Sequence, residues 1–314
     1  MSLNIVMPVY NAENTLAKSL ESFVKLSSLI KDNITLTIID DKSTDSSIKV
    51  IQRYVKNYPN INLVRNTKNM GPGFSRNFAL TNSKSEYIGF LDADDEICPL
   101  EYTICYEDIK TQKADMLIFN GTVEKNGSIS EKYDHKILKE DELSLLRKCT
   151  KGKLDGSVIF SIFNKTHINK NRLRFGSFFY EDISFQYSSI ISSKKLIISD
   201  VYAYKKHNRN NSIINTFNEK HIFGMIESLG NYYEFCKKNN FSDYDEFEKD
   251  FSYWFYGILA SLVKNSNISQ QKNKLHKLIV NLLTGTTFLN FINREPQTQK
   301  DFVAYNFLIE NNLL

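Results

Sequence analysis

The first hundred residues alternate short apolar runs with amphipathic stretches, and this alternation constrains the fold more than any other feature. "LNIVMPVY", "ITLTIID", "INLVRN" and "EYIGFLD" are rich in apolar residues. Strands of that kind are covered on both faces, as in a parallel sheet with helices on either side. The segments between them, around Ala12 to Ile30, Ser43 to Asn57 and Gly73 to Asn82, carry the helical period. The pattern predicts an α/β fold with a Rossmann-like, mostly parallel sheet, and ligands gathered beyond the carboxyl ends of its strands.

Those strand ends are acidic. Asp40 and Asp41 close the second apolar run, and Asp92, Asp94 and Asp95 follow the fourth in "YIGFLDADDEI". Parallel strands put both groups on one edge, where like charges raise one another's pKa unless a cation or hydrogen-bond donors compensate. Oxygen ligands favour Mg2+ or Mn2+, which retain waters and take further oxygens from phosphate. A lone Asp-x-Asp also arises by chance, and Asp95 has the character of a helix cap. Its place at the end of an apolar strand, with a second acid pair at the next strand end, favours the metal.

The 314 residues, 41% apolar and 24% charged, suffice for one large or two modest domains. Cys98, Cys105, Cys149 and Cys236 show no metal or redox spacing and read as reduced, structural thiols. A net charge of +4 spread over scattered lysines argues against nucleic acid as a partner. The amino terminus lacks the basic and apolar regions of a signal peptide or a membrane span, so a cytoplasmic location is expected. After about residue 115, "ADMLIFNGTVEKNGSISEKYD" predicts a strand and a hairpin with an Asn-Gly turn, "DELSLLRKC" a short helix, and "KLIISDVYAYKKH" a strand pair. Beyond Asn218 long helical patterns take over, including "QKNKLHKLIVNLLTG", which places a boundary near 215. Trp254, with Phe251, Tyr253, Phe255 and Tyr256, reads as helix packing.

In order, "IVMPVYNAENTLAKSLES", "IIDDKSTDSS", "NMGPGFSRNFAL", "YIGFLDADD", and "FYEDISFQYSSI" with "YAYKKHNRNNSI" resemble the signatures of the family 2 inverting nucleotide-sugar glycosyltransferases of bacterial surface polysaccharides. The resemblance covers roughly residues 3 to 213. It implies a GT-A nucleotide-sugar-binding domain over residues 1–215 and a helical C-terminal extension over 216–314. It also implies transfer of a sugar from a nucleotide-sugar donor, a UDP-sugar, to a hydroxyl of a glycan or lipid-linked glycan acceptor, with Mn2+ or Mg2+. The C-terminal helices would then pack on the catalytic domain or a second subunit, or lie peripherally on the inner face of the plasma membrane.

Residue by residue, the resemblance places Pro8 and Tyr10 beside the nucleobase and Asp41 as acceptor of a base N–H, with Asp40 supporting the loop. Glu13 either meets a ribose hydroxyl or simply favours a helix dipole. Gly71 and Gly73 allow a tight turn before a helix whose amino end, with Arg76, can face anionic oxygens. Asp94 is the direct metal ligand, Asp92 reaches ribose or a metal-bound water, and His207 joins the metal or touches the diphosphate. Asp182 in "YEDISF" matches the acceptor-side base, and its aromatic neighbours Phe179, Tyr180 and Phe185 are expected to raise its pKa. Two rivals remain: a nucleotide-sugar-binding domain without turnover, and an Asp-x-Asp phosphatase, against which Glu96 stands where such enzymes carry Thr or Val.

Overall fold

The computed structural model describes residues 1–125, 128–139, 143–207 and 219–265. In chain order the elements are β1 (Ser2–Val9), α1 (Leu16–Leu29), β2 (Asn33–Asp40), α2 (Ser47–Asn57), β3 (Ile61–Arg65), α3 (Pro72–Asn82) and β4 (Tyr87–Phe90). There follow β5 (Glu96–Ile97), α4 (Pro99–Gln112), β6 (Met116–Lys125), β7 (Ser128–Tyr133), α5 (Leu145–Thr150), β8 (Ser161–Asn164) and α6 (Lys165–Lys170). The remaining elements are α7 (Glu181–Ser192), β9 (Leu196–His207), α8 (Glu219–Lys238) and α9 (Phe247–Asn265).

One sheet runs in the order β3-β2-β1-β4-β8-β6-β9-β5, with β7 paired to β6. From β3 to β4 it is parallel, and β8 enters antiparallel between β4 and β6. The apolar runs explain the parallel half: Leu3, Ile5, Val6, Leu36, Ile38, Ile88 and Phe90 are buried. Helices α1 and α2 pack on one another, and α3 packs against β1 and β2. Asn4, a polar residue in the buried first strand, accepts the hydroxyls of Thr35 and Thr37 at 3.2 and 2.9 Å, which satisfies its amide oxygen.

The segment read as a strand pair is one strand of 12 residues, β9, parallel to β6 across two register shifts around Asn120. The irregularity bends the ladder without reversing the chain, and Asn120 fills it by donating to the Asp200 carbonyl at 3.2 Å. The Asn-Gly turn of the hairpin and the helix read in "QKNKLHKLIVNLLTG" lie outside the described residues. Compactness also divides the chain differently from a single boundary near 215. One unit comprises the sheet and the helices on it, while the described residues of 140–156, residues 176–191, α8 and α9 form a second unit.

The second unit has its own aromatic core. Trp254 is 8% exposed and its ring lies against Tyr187 at 5.3 Å, and Tyr232 and Phe251 are fully buried around it. Among the described residues no helix is long and apolar enough to cross a membrane.

A buried carboxylate pins α5 to α9. Asp250 receives Arg147 Nε at 2.7 Å and Lys151 Nζ at 2.9 Å, and Arg147 also pairs with Glu246. Burial alone would raise the Asp250 carboxyl, but the donated hydrogen bonds of Arg147 and Lys151 outweigh it and hold the group below its ordinary 3.8. A depressed folded-state pKa contributes stability above the unfolded value and loses it as pH falls through the folded one. Arg147→Ala is therefore expected to cost about 2–3 kcal/mol at pH 7, Lys151 keeping part of the compensation. In urea unfolding the deficit should shrink below pH 3.8.

Candidate functional site

Strands β2, β1 and β4 are parallel neighbours, so the acids that follow β2 and β4 emerge from one edge on either side of β1. With strands spaced about 4.8 Å apart, the ends of β2 and β4 are separated by about 10 Å across β1.

The first group is held by donors. Asp40, fully buried, accepts Arg65 Nε at 3.0 Å and the Ser43 amide at 3.2 Å. Asp41, 3% exposed, accepts the amides of Met70 at 2.8 Å and Gly71 at 2.7 Å and the Asn66 side chain at 2.8 Å. These bonds fix the turn before α3, whose N-cap Gly71 sits at φ 84° and ψ 164°, a conformation open essentially to glycine alone. Two donors fall on Oδ1 and one on Oδ2, which leaves Oδ2 with acceptor capacity for a further N–H.

The loops after β1 and β2 are laced together. Asn11, at φ 48°, donates its amide to Ser43 Oγ and accepts from the Thr44 amide. Glu13 Oε2 accepts the Ser46 amide at 2.7 Å while the Glu13 amide donates to Asp45. Glu13 thus ties the loop after β1 to the turn before α2, a different helix from the α1 start that its position in the sequence suggested. Pro8 remains inside β1, paired with Ile39, and Tyr10 is 51% exposed beyond the strand end.

In the second group, ligand oxygens of Asp92, Asp94 and Asp95 all lie within 4.8 Å of one another. An all-oxygen set this close fits a hard divalent cation such as Mg2+ or Mn2+. Arg76, 5% exposed and lying against the rings of Phe90 and Phe175, donates to Asp92 Oδ1 at 2.9 Å. The Phe175 backbone is itself gripped by Asn77, which both donates to its carbonyl and accepts from its amide. Asp95 is 2% exposed and accepts the Tyr204 hydroxyl at 3.1 Å and the His207 amide at 2.8 Å. Burial, then the charges of Asp92 and Asp94, push its carboxyl well above the usual range. His207 points its Nε2 to Glu96 at 2.7 Å and lies outside the carboxylate cluster in this conformation.

Six of the residues singled out in the sequence thus gather along one edge: Asp41, Gly71, Arg76, Asp92, Asp94 and His207. Asp182 opens α7 in the second unit. Tyr204 was not singled out, since nothing in "YAYKKH" distinguishes it from an ordinary strand tyrosine. Its hydroxyl accepts the Asp92 amide at 3.0 Å while donating to Asp95, so one atom clamps both ends of the acidic turn. Tyr204→Phe is expected to lower stability by about 1–3 kcal/mol, because a buried amide and a buried carboxylate each lose a partner. Thermal denaturation checks this, and a variant as stable as the parent would contradict it.

Comparison with known proteins agrees with this geometry. The model of the family described as glycosyl transferase family 2 matches residues 4–172, more than half of the chain. Over 213 residues the chain is 30% identical to a poly(ribitol-phosphate) beta-glucosyltransferase of Bacillus spizizenii, an alignment covering 65% of this chain and 32% of that protein. It is 27% identical over 150 residues to chondroitin synthase of Escherichia coli, covering 47% of this chain and 21% of the other. The chain therefore spans about a third or less of the length of these relatives. Residues 1–349 of Staphylococcus aureus TarS, solved with UDP-GlcNAc, superpose with a TM-score of 0.70 at 18% identity, over 99% of this chain and 89% of that one. The fold is accordingly the GT-A fold, and the chain belongs to glycosyl transferase family 2.

Proposed function

We propose that the chain is an inverting glycosyltransferase that moves a sugar from a nucleotide-sugar donor, a UDP-sugar, to a hydroxyl of a surface-glycan acceptor. The observation that carries this reading is the Asp92, Asp94 and Asp95 cluster, tied through Arg76 to the sheet edge that also bears Asp41 and the Gly71 turn. The relatives support it: TarS was solved with UDP-GlcNAc, and a Pyrobaculum calidifontis mannosyltransferase of similar fold (TM-score 0.57, 12% identity, 99% of this chain and 86% of that one) with GDP-Man and Mn2+. Poly(ribitol phosphate), the polymer in the name of the Bacillus relative, is the first acceptor to try.

In this reading Asp41 accepts a base N–H through its remaining Oδ2 capacity, and Pro8 and Tyr10 flank the base. Asp94 would hold the cation and Asp92 would reach ribose or a metal-bound water, with Arg76 keeping Asp92 oriented. His207, whose Nε2 meets Glu96, would join the ion or touch the diphosphate. A bound Mn2+ or Mg2+ supplies positive charge against the departing nucleoside diphosphate. Asp182 takes the proton from the acceptor hydroxyl as that oxygen attacks the anomeric carbon. Attack opposite the leaving group inverts an α-linked donor to a β-glycoside.

Asp182→Asn is expected to reduce transfer of radiolabelled sugar from UDP-GlcNAc or UDP-glucose by about 10²–10⁴-fold. UDP affinity should change by less than about threefold, since the base makes no donor contact in this reading. Asp94→Ala should abolish the rise in melting temperature that UDP gives in Mn2+. Full activity in Asp182→Asn would remove the base assignment. Phosphate release from simple phosphomonoesters, without sugar dependence, would remove the whole reading.

A further inference from the structure

The loop that leads into Asp182 is closed on itself and strapped to α8. The Gly176 amide donates to the Glu181 carbonyl and the Ile183 amide to the Tyr180 carbonyl, both at 3.2 Å, so the loop ends on the first turn of α7. Within it Tyr180 holds φ 62°, a left-handed conformation that a bulky side chain keeps only when its surroundings enforce it.

Helix α8 supplies that enforcement. Glu227 Oε2 accepts the amides of Ser177 at 2.8 Å and Phe178 at 3.0 Å. One turn earlier is Gly224, where an added Cβ would stand 2.0 Å from the Phe179 carbonyl oxygen, so the loop backbone lies directly on the helix. One further turn back, His221 sets its ring 4.7 Å from that of Phe179 and 5.9 Å from that of Tyr180. At spacings of three residues these side chains share one helix face.

We infer that Glu227 is a positioning residue for Asp182: its carboxylate holds the strained 176–180 loop, and the loop in turn fixes the first turn of α7. This inference rests on the assignment of Asp182 as the base. A charged oxygen receiving two amides is a strong anchor, whereas the glycine contact and the ring packing only shape the path. Without the anchor the Ser177 and Phe178 amides turn to water and Tyr180 is released from its left-handed conformation. The carboxylate four residues after Phe178 then loses its fixed direction, and a misplacement of about 1 Å at a reacting group costs on the order of a hundredfold in rate.

The test uses the full chain and the variants Glu227→Ala, Glu227→Gln and Asp182→Asn. Hydrogen exchange is followed at the amides of residues 177–183, and turnover is measured with UDP-GlcNAc or UDP-glucose on poly(ribitol phosphate). Glu227→Ala should speed exchange at 177–183 by about tenfold or more while the interior amides of α8 keep their protection. It should also lower kcat by about 10–100-fold with little change in the donor KM. Glu227→Gln, which keeps an acceptor oxygen in place without the charge, should restore both in part. Unchanged exchange at 181–183 in Glu227→Ala, or no rescue by Gln, overturns the inference. The two failures are distinguishable: full turnover in Asp182→Asn defeats the base assignment, whereas an inactive Asp182→Asn beside a fully active Glu227→Ala defeats the strap alone.

Discussion

Carboxylates gathered at the end of a parallel sheet repel one another, and much of the first unit is arranged to keep them together. Two unit charges 4 Å apart near a protein surface interact by about 4 kcal/mol, a large fraction of the stability of an ordinary domain. The chain answers with donors aimed from several elements. Arg65 comes from the end of β3, Arg76 from α3, the Tyr204 hydroxyl and the His207 amide from β9, and the amides of Met70 and Gly71 from the turn between β3 and α3. Asp40, Asp41 and Asp95 spend their acceptor capacity largely on these internal donors. Asp92, whose side chain is 33% exposed, keeps one face toward solvent.

That division separates scaffold from chemistry. Buried acids fix loop geometry, and half-exposed acids are left where a cation can reach them. The strands supply rigidity, because a βα loop anchored at a buried strand end moves less than a free loop, and precise charge placement needs that support. Arg76 works on both levels, since the rings of Phe90 and Phe175 immobilise its guanidinium before it meets Asp92. The second unit repeats the scheme with different parts: its aromatic core and the Asp250 network brace α9, and α8 holds the loop that precedes Asp182.

The parallel half of the sheet was legible in the sequence because β1 and β4 are buried along nearly their whole length, which leaves an almost unbroken apolar signal in "IVMPV" and "YIGF". The acidic edge was legible for a related reason, since the end of such a strand is itself visible. Pairing partners far apart in the chain left no local trace. Tyr204 and Asp95 are 109 residues apart, and the antiparallel pairing of β5 with β9, Ile97 opposite Tyr204, brings them together. Helix α4 lacks a clear apolar stripe: Leu100 and Ile104 are exposed while Tyr102 and Tyr106 are buried, so its period is blurred. The membership of residues 176–191 in the second unit depends on tertiary packing that no window of sequence expresses.

In the proposed function the acidic edge grips a cation and a nucleotide at once. A crystal structure of the chain grown with UDP and Mn2+ tests it directly, with anomalous scattering locating the metal. The expected result is a manganese peak between the carboxylate of Asp94 and the diphosphate, with the uracil beside Asp41. Nucleotide bound elsewhere, or manganese with no contact to Asp92 or Asp94, would contradict it.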